Sequence, residues 1–356
     1  MTRDELNNLN IEAPDPAIRT KAKRKWDALA KPIDGLGRFE DTVCKIAAIC
    51  GTTEPDLAEK GLIIMCADNG IVEEGVSQTG KEVTYEVAAL MGAKKSSVGI
   101  MLKDYPAHIL TVDIGIDSDD TPTGVICKKV AKGTKNFLHD PAMTEEETLR
   151  AIETGIGCVK ELKDKGISII ATGEMGIGNT TTSSALMSIL TGLEVPECTG
   201  RGAGLSDEGL RRKIEVIEKA LAFHFPDGHA DTFDALCKVG GLDIAGLTGV
   251  FIGGALHKVP IVIDGFISMI SALIADRMVP GCKAYMISSH MGKENGMRVL
   301  SEELGLDPVI YGNLALGEGT GAVMFFPLID MVMNLYGSGT NFADTPIEVY
   351  ERFDNK

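Results

Sequence analysis

The sequence is short of positive charge. Its 356 residues carry 35 Lys and Arg against 51 Asp and Glu, a formal net charge of −16. A chain this acidic has no general attraction for nucleic acid or for an anionic lipid surface. Any phosphorylated ligand must be held locally, by backbone dipoles and a few placed cations. Paired cysteines are missing as well. Cys44, Cys50, Cys66, Cys127, Cys158, Cys198, Cys237 and Cys282 include no C-x-x-C pair, and several sit in apolar runs. That scatter argues against a zinc or disulfide framework and for reduced, buried thiols in a cytoplasmic protein. Long hydrophobic runs are lacking too. The stretch 259–275 is interrupted by Asp264 and falls short of a membrane span. Residues 1–10 are polar and acidic and do not read as a signal peptide.

What is present is apolar bulk and glycine. Hydrophobic residues make up 44% of the chain, enough for a large core. Many of the 41 glycines fall in short clusters, such as Gly176-Ile177-Gly178 and Gly317-Glu318-Gly319. That is the pattern of turns that approach a ligand. The length suits two domains, or one large α/β domain with an added subdomain. Residues 1–60 read as helices, with a basic amphipathic segment over 16–30 that Lys31-Pro32 ends. Apolar runs follow at 62–66, 108–112, 167–171, 260–263 and 284–287. Each ends in polar or Gly residues and leads into a helical pattern, as buried parallel strands joined by helices do. In such sheets ligands bind at the carboxyl ends of the strands, where most of the following motifs fall.

The first motif is Gly173-Glu174-Met175-Gly176-Ile177-Gly178-Asn179-Thr180-Thr181-Thr182, after one run and before a helix over 183–190. Free N–H groups at a helix start bind phosphate, and glycines let the backbone come close. The spacing nearly matches a P-loop, but Asn179 stands where that loop needs Lys. It is not G-x-G-x-x-G either, because Thr181 takes the third Gly position. NTP hydrolysis and dinucleotide redox chemistry are therefore disfavoured. The plainer reading is a Gly turn with a Thr N-cap. A second loop, Thr199-Gly200-Arg201-Gly202-Ala203-Gly204, precedes a helix that carries Arg211, Arg212 and Lys213. It is either the other side of an anion pocket or a loop before a helix with an exposed Lys.

The third motif is Leu314-Ala315-Leu316-Gly317-Glu318-Gly319-Thr320-Gly321-Ala322, before an apolar helix over 323–335. A carboxylate between glycines is accessible, and partial desolvation pushes it toward the range of a general base. The alternative is a helix N-cap carboxylate. Glu174 is the other candidate for acid–base work.

Taken together these motifs resemble one family, the nicotinate-nucleotide–dimethylbenzimidazole phosphoribosyltransferases of cobamide lower-ligand assembly. The resemblance runs from about Lys31 to Leu335. It also takes in Gly35-Leu36-Gly37-Arg38-Phe39-Glu40, Asp68-Asn69-Gly70, Asp113-Ile114-Gly115, Lys238-Val239-Gly240-Gly241, Asp264-Gly265-Phe266 and Ser289-His290. It implies a Rossmann-like parallel sheet over 61–335, with a small helical domain built from 1–60 and 336–356. It implies a dimer, of identical chains or with a paralogue, whose sites lie near the interface. It implies transfer of the phosphoribosyl group of nicotinate mononucleotide to an aromatic base, with no cofactor and no metal. Glu318 matches the general base, which takes the acceptor's proton as the ribosyl carbon passes through an oxocarbenium-like state. Glu174 is the second catalytic carboxyl. Gly176, Ile177, Gly178, Asn179, Thr180, Gly202, Ala203, Lys213 and Ser289 fall to the nucleotide and its phosphate. Thr79, Val87, Met175 and Leu316 fall to the acceptor pocket.

The departures concern the acceptor. Asn69 replaces a common His. Thr79, Val87 and Met175 stand where members that use dimethylbenzimidazole show Ser, Gln and Leu, which makes the pocket more apolar. The family includes a heterodimeric branch that activates phenol and p-cresol. The primary expectation is a benzimidazole acceptor, with a phenol as the alternative. A catalytically idle partner subunit is the competing reading of another class.

Overall fold

The computed structural model of the chain describes residues 1–352. Eight strands form: β1 (Lys60–Ala67), β2 (His108–Gly115), β3 (Ile126–Cys127), β4 (Ile169–Met175), β5 (Ile261–Ile263), β6 (Met286–Ser288), β7 (His290–Gly292) and β8 (Ile310–Leu314). The expected apolar runs are β1, β2, β4, β5 and β6. Six strands make one sheet in the order β3-β2-β1-β4-β5-β6, while β7 and β8 pair apart from it. Every pairing between these strands is parallel. This is a Rossmann-like α/β fold. Its order reverses between β1 and β4, which opens a crevice beyond their carboxyl ends.

The uninterrupted apolar runs follow from helices covering both faces. Along β1, Ile63, Met65 and Ala67 join one core cluster, and Leu62, Ile64 and Cys66 join the other. Helices Glu145–Asp164, Leu242–His257 and Phe266–Met278 cover the first face. The first two approach closely at Gly249, where a Cβ would run into the backbone of Ile152. Helices Pro16–Ala28, Arg38–Cys50 and Thr320–Ser338 cover the second. The N-terminal helices thus share one apolar cluster with Leu62, Ile64, Ile169 and Val262 of the sheet. Trp26 and Tyr336 meet there with ring centroids 4.9 Å apart. The helix that starts at Pro16, capped by Asp15, stops at Ala28 rather than at Lys31.

One helix, Thr320–Ser338, is long and apolar enough to cross a membrane by composition, which the broken runs of the sequence did not single out. Here it lies on the sheet with Phe325, Phe326, Ile329 and Tyr336 buried. All eight cysteines are free thiols. Six are buried and Cys50 is half-buried. Cys127, on the short edge strand β3, departs from expectation and is exposed.

Candidate active site

Strands β1 and β4 run side by side, with Cys66 opposite Met175, so both end at the same crevice. Beyond Met175 the chain turns through Gly176-Ile177-Gly178 into helix Asn179–Thr191, which starts four residues earlier than expected. The N-cap is Gly178, at φ +93°, rather than a Thr, and no side chain caps the helix. The Asn179 and Thr181 N–H groups bond to the carbonyls of Gly176 and Gly178, and the Ile177 N–H bonds to Thr84 Oγ1, so the Gly178 and Thr180 N–H groups and the helix dipole are what is left for an anion. Gly176 is required: a Cβ there would stand 2.7 Å from the carbonyl oxygen of Ala67. Asn69 props this turn from below, donating through Nδ2 to the Ile177 carbonyl at 3.3 Å. It is not among the residues of the acceptor wall.

The second glycine loop folds against the first. Gly202 lies at φ +51°, and a Cβ on it would come within 2.8 Å of Thr180 Oγ1. Lys213 ties the two loops together, donating through Nζ to Thr180 Oγ1 at 2.8 Å and to the Gly200 carbonyl at 3.3 Å. The reading of an exposed helix lysine fails, because Lys213 is 0% exposed. Burial pulls its pKa down to about 8, with only the charge of Glu294 in support. A cation so placed, next to uncapped helix N–H groups, suits a phosphate.

Glu318 is the strained residue of the site. Its φ is +60°, between Gly317 at +85° and Gly319 at +84°. A non-glycine residue in the left-handed region persists only where its surroundings fix it. Gly173 of β4 packs directly beneath, where a Cβ would meet the Glu318 carbonyl oxygen at 2.7 Å. The half-buried carboxylate accepts from the Val98 N–H at 3.1 Å. It is not the helix cap: the N-cap of Thr320–Ser338 is Gly319, with no side-chain cap bond. Asp264, beyond β5, does that work instead and accepts from the Ala322 N–H at 2.9 Å.

A cavity of about 240 Å³ joins these pieces. Glu174, Glu318, Gly176, Ile177, Asn179, Thr180, Gly202, Ala203, Val87, Met175 and Leu316 all line it. Gly178 lines a smaller recess of about 80 Å³ shared by the two glycine loops. Lys213 does not line the cavity and reaches it through Thr180. Ser289 is fully buried behind the wall, its Oγ donating to the Ile263 carbonyl at 2.6 Å. Thr79 sits on an exposed turn and does not line the cavity. Three ionisable lining residues had no assigned role: Asp264, His290 and Glu294. The sequence did show Asp264-Gly265 and Ser289-His290 as motifs, but nothing in them fixed a task.

The buried carboxyls are held unusually high. Burial raises Glu174 to about 8, helped by the charges of Asp243, Asp264 and Glu318 and opposed by the hydrogen bond from Asn179. Burial likewise lifts Asp264 to about 7 and Asp243 to about 6. A protonated Glu174 beside an accessible carboxylate is an arrangement able to serve acid–base chemistry.

A family model described as phosphoribosyltransferase matches residues 11–347. A nicotinate-nucleotide–dimethylbenzimidazole phosphoribosyltransferase of Acetivibrio thermocellus is 45% identical over 92% of this chain and 93% of its own. One of the same name from Clostridium acetobutylicum is 44% identical over 96% of this chain and 97% of its own. The crystal structure of CobT from Thermus thermophilus superposes with a TM-score of 0.87 at 34% identity, covering 94% of this chain and 99% of that one.

Proposed function

The chain belongs to the nicotinate-nucleotide–dimethylbenzimidazole phosphoribosyltransferase family, and we propose that it moves the phosphoribosyl group of nicotinate mononucleotide to 5,6-dimethylbenzimidazole or a related benzimidazole. The products are nicotinate and an α-ribotide for cobamide assembly. The 5′-phosphate takes the N–H groups of the Gly176–Thr180 turn and of Gly202-Ala203, with Lys213 as its cation. The acceptor lies against Val87, Met175 and Leu316. Glu318 removes the acceptor's proton as its ring nitrogen attacks the ribosyl carbon from the face opposite the departing nicotinate. Glu174 faces the reacting end as a neutral acid. The observation that carries this reading is that one cavity is lined both by the Gly176–Thr180 turn and by the strained Glu318.

A second reading keeps the chemistry and changes the acceptor. With Thr79 outside the cavity, the wall of Val87, Met175 and Leu316 has no side-chain hydroxyl or amide for a second ring nitrogen. A phenol needs only one partner, and Glu318 supplies it. A dimer belongs to either reading. Met324, Met331 and Leu335 are exposed at helical spacing on the helix that follows Glu318, a face suited to a second chain. The experiment is to mix the pure protein with nicotinate mononucleotide and a panel of bases and to follow nicotinate. Release that requires an acceptor supports the proposal. No release with any acceptor would favour an idle partner subunit.

A further inference from the structure

The donor's ribose must bridge the phosphate turn and Glu318, and its hydroxyls need acceptors on the way. Two of the cavity's carboxyls already hold hydrogen bonds. Asp264 serves the first turn of the helix Thr320–Ser338, and Glu174 accepts from the Asn179 amide. His290 lines the same cavity, and among the described residues its Nε2 has no hydrogen-bond partner. Ser289 spends its one hydroxyl proton on the Ile263 carbonyl. Toward His290 Nδ1, 2.9 Å away, Ser289 Oγ therefore acts only as acceptor. Nδ1 carries the ring proton, and Nε2 keeps its lone pair. The ring lies against Gly321, where any side chain would collide with it. Its Nε2 faces Gly265, another residue of the cavity wall, 3.9 Å from where a Cβ on that glycine would stand. We propose that His290 is a donor-binding residue whose Nε2 accepts a hydrogen bond from a ribose hydroxyl of the mononucleotide. The inference rests on the donor assignment above. Burial also lowers the imidazole pKa to about 4, so the acceptor form persists through neutral pH.

The test uses wild type, His290→Phe and Ser289→Ala. Each is assayed for nicotinate release from nicotinate mononucleotide and from its 2′-deoxy and 3′-deoxy analogues. Wild type should lose about three- to tenfold in kcat/KM with one analogue, the size of one neutral hydrogen bond. His290→Phe should lose a similar factor with the full donor and then no longer distinguish that analogue, because the two deletions remove the same bond. Ser289→Ala, which frees the tautomer, should distinguish it less than wild type. The wild-type series needs no variant, and Ser289→Ala deletes only a hydroxyl, so the test survives poor folding of His290→Phe. Equal use of both analogues by wild type would overturn the proposal. So would a His290→Phe enzyme that discriminates as strongly as wild type. A wild type that releases no nicotinate from the full donor would instead bring down the donor assignment.

Discussion

Two substitutions at Glu318 separate what its carboxylate does from what its backbone costs. Glu318→Gln keeps the side-chain length and an oxygen for the Val98 N–H. It removes the capacity to take a proton. Loss of a general base costs about 10²–10⁴ in rate, or about 3–5 kcal/mol of barrier. The donor KM should hardly move, because the glycine loops proposed to hold the phosphate are untouched. Glu318→Gly adds a stability measurement. Glutamate at φ +60° costs about 1–2 kcal/mol against glycine. Relief of that strain is opposed by glycine's larger unfolded-state entropy, about 0.5–1 kcal/mol, and by the lost Val98 bond, about 0.5–1.5 kcal/mol. The contributions cancel to within about 1 kcal/mol, so the Tm should shift by no more than a few degrees. Turnover should fall as far as in the Gln variant. Base-dependent nicotinate release measures the rate, and urea or thermal unfolding measures the stability. Near-normal turnover in Glu318→Gln would refute the base assignment. A loss of several kcal/mol in Glu318→Gly would refute the claim that the fold holds strain there to aim a carboxylate.

At the phosphate end, Lys213 has a pKa of about 8, so the empty site loses its cation as pH rises through that value. The donor KM should climb above pH 8 while kcat at saturation holds, and Lys213→Arg should flatten the climb; a flat wild-type KM from pH 7 to 9 would remove Lys213 from the phosphate site. Nicotinate riboside, without the phosphate, should be a very poor donor. Gly178→Val should raise the donor KM, since φ is +93° and a Cβ would sit 2.7 Å from Val72 Cγ2; equal use of riboside and nucleotide would exclude the turn as a phosphate site. Glu174 has a folded-state pKa of about 8 against the ordinary 4.5. The native chain therefore keeps a proton that the unfolded chain releases, and that contribution to stability, complete below about 4.5, is lost as pH rises toward 8. Glu174→Gln has nothing to ionise, so its Tm relative to wild type should climb across that window; a constant difference would show that the carboxyl is not protonated at neutral pH. For the acceptor, an unpaired buried ring nitrogen costs about 1–3 kcal/mol. Val87→Gln should accordingly shift a phenol-versus-dimethylbenzimidazole competition toward the nitrogen base by about tenfold or more, and a wild type that makes no phenolic product even with phenol alone in excess would end the phenol reading.

The central strands were legible because burial on both faces leaves an unbroken apolar run, as in Leu62-Ile63-Ile64-Met65-Cys66. β3 was not, since Ile126 and Cys127 are exposed and owe their conformation to pairing with Val112 and Asp113. β8 reads Ile-Tyr-Gly-Asn-Leu and gives no strand signal; it exists because His290 and Gly292 lie alongside it. The glycine loops and Glu318 were visible as local chemistry. The burial of Lys213 was not, because it follows Arg211 and Arg212 on a charged helix, and its partners, Thr180 and the Gly200 carbonyl, are distant in sequence. The cap of the helix behind Glu318 was hidden for a similar reason. Caps are normally local, but here Asp264 reaches the Ala322 N–H across 58 positions of sequence. Thr79, which the resemblance assigned to the acceptor pocket, lies on an exposed turn just before the helix Glu82–Gly92, and it is that helix that brings Val87 to the cavity.

The charges of the site suit the proposed donor. Nicotinate mononucleotide is anionic at its phosphate and cationic at its ring nitrogen, and an oxocarbenium-like transition state carries positive charge on the ribosyl carbon. For the anion there are the start of the helix Asn179–Thr191 and one buried lysine behind Thr180. For the positive charge the cavity has Glu318, Glu174 and Asp264 at its wall, with Asp243 behind, and the Asn179 amide donates to both Glu174 and Asp243. Four ionised carboxylates packed together would repel one another. Burial avoids this in the empty site by lifting Glu174, Asp264 and Asp243 to about 8, 7 and 6. A cation among them favours their ionised forms, so negative charge can develop where positive charge appears on the substrate. In the transition state the positive charge moves from the ring nitrogen onto the ribosyl carbon, and carboxylates placed at that carbon favour it over the bound donor, which is the differential binding that speeds a reaction. An acidic protein with few cations is thus suited to this transfer, provided that its backbone, rather than a field of lysines, carries the phosphate.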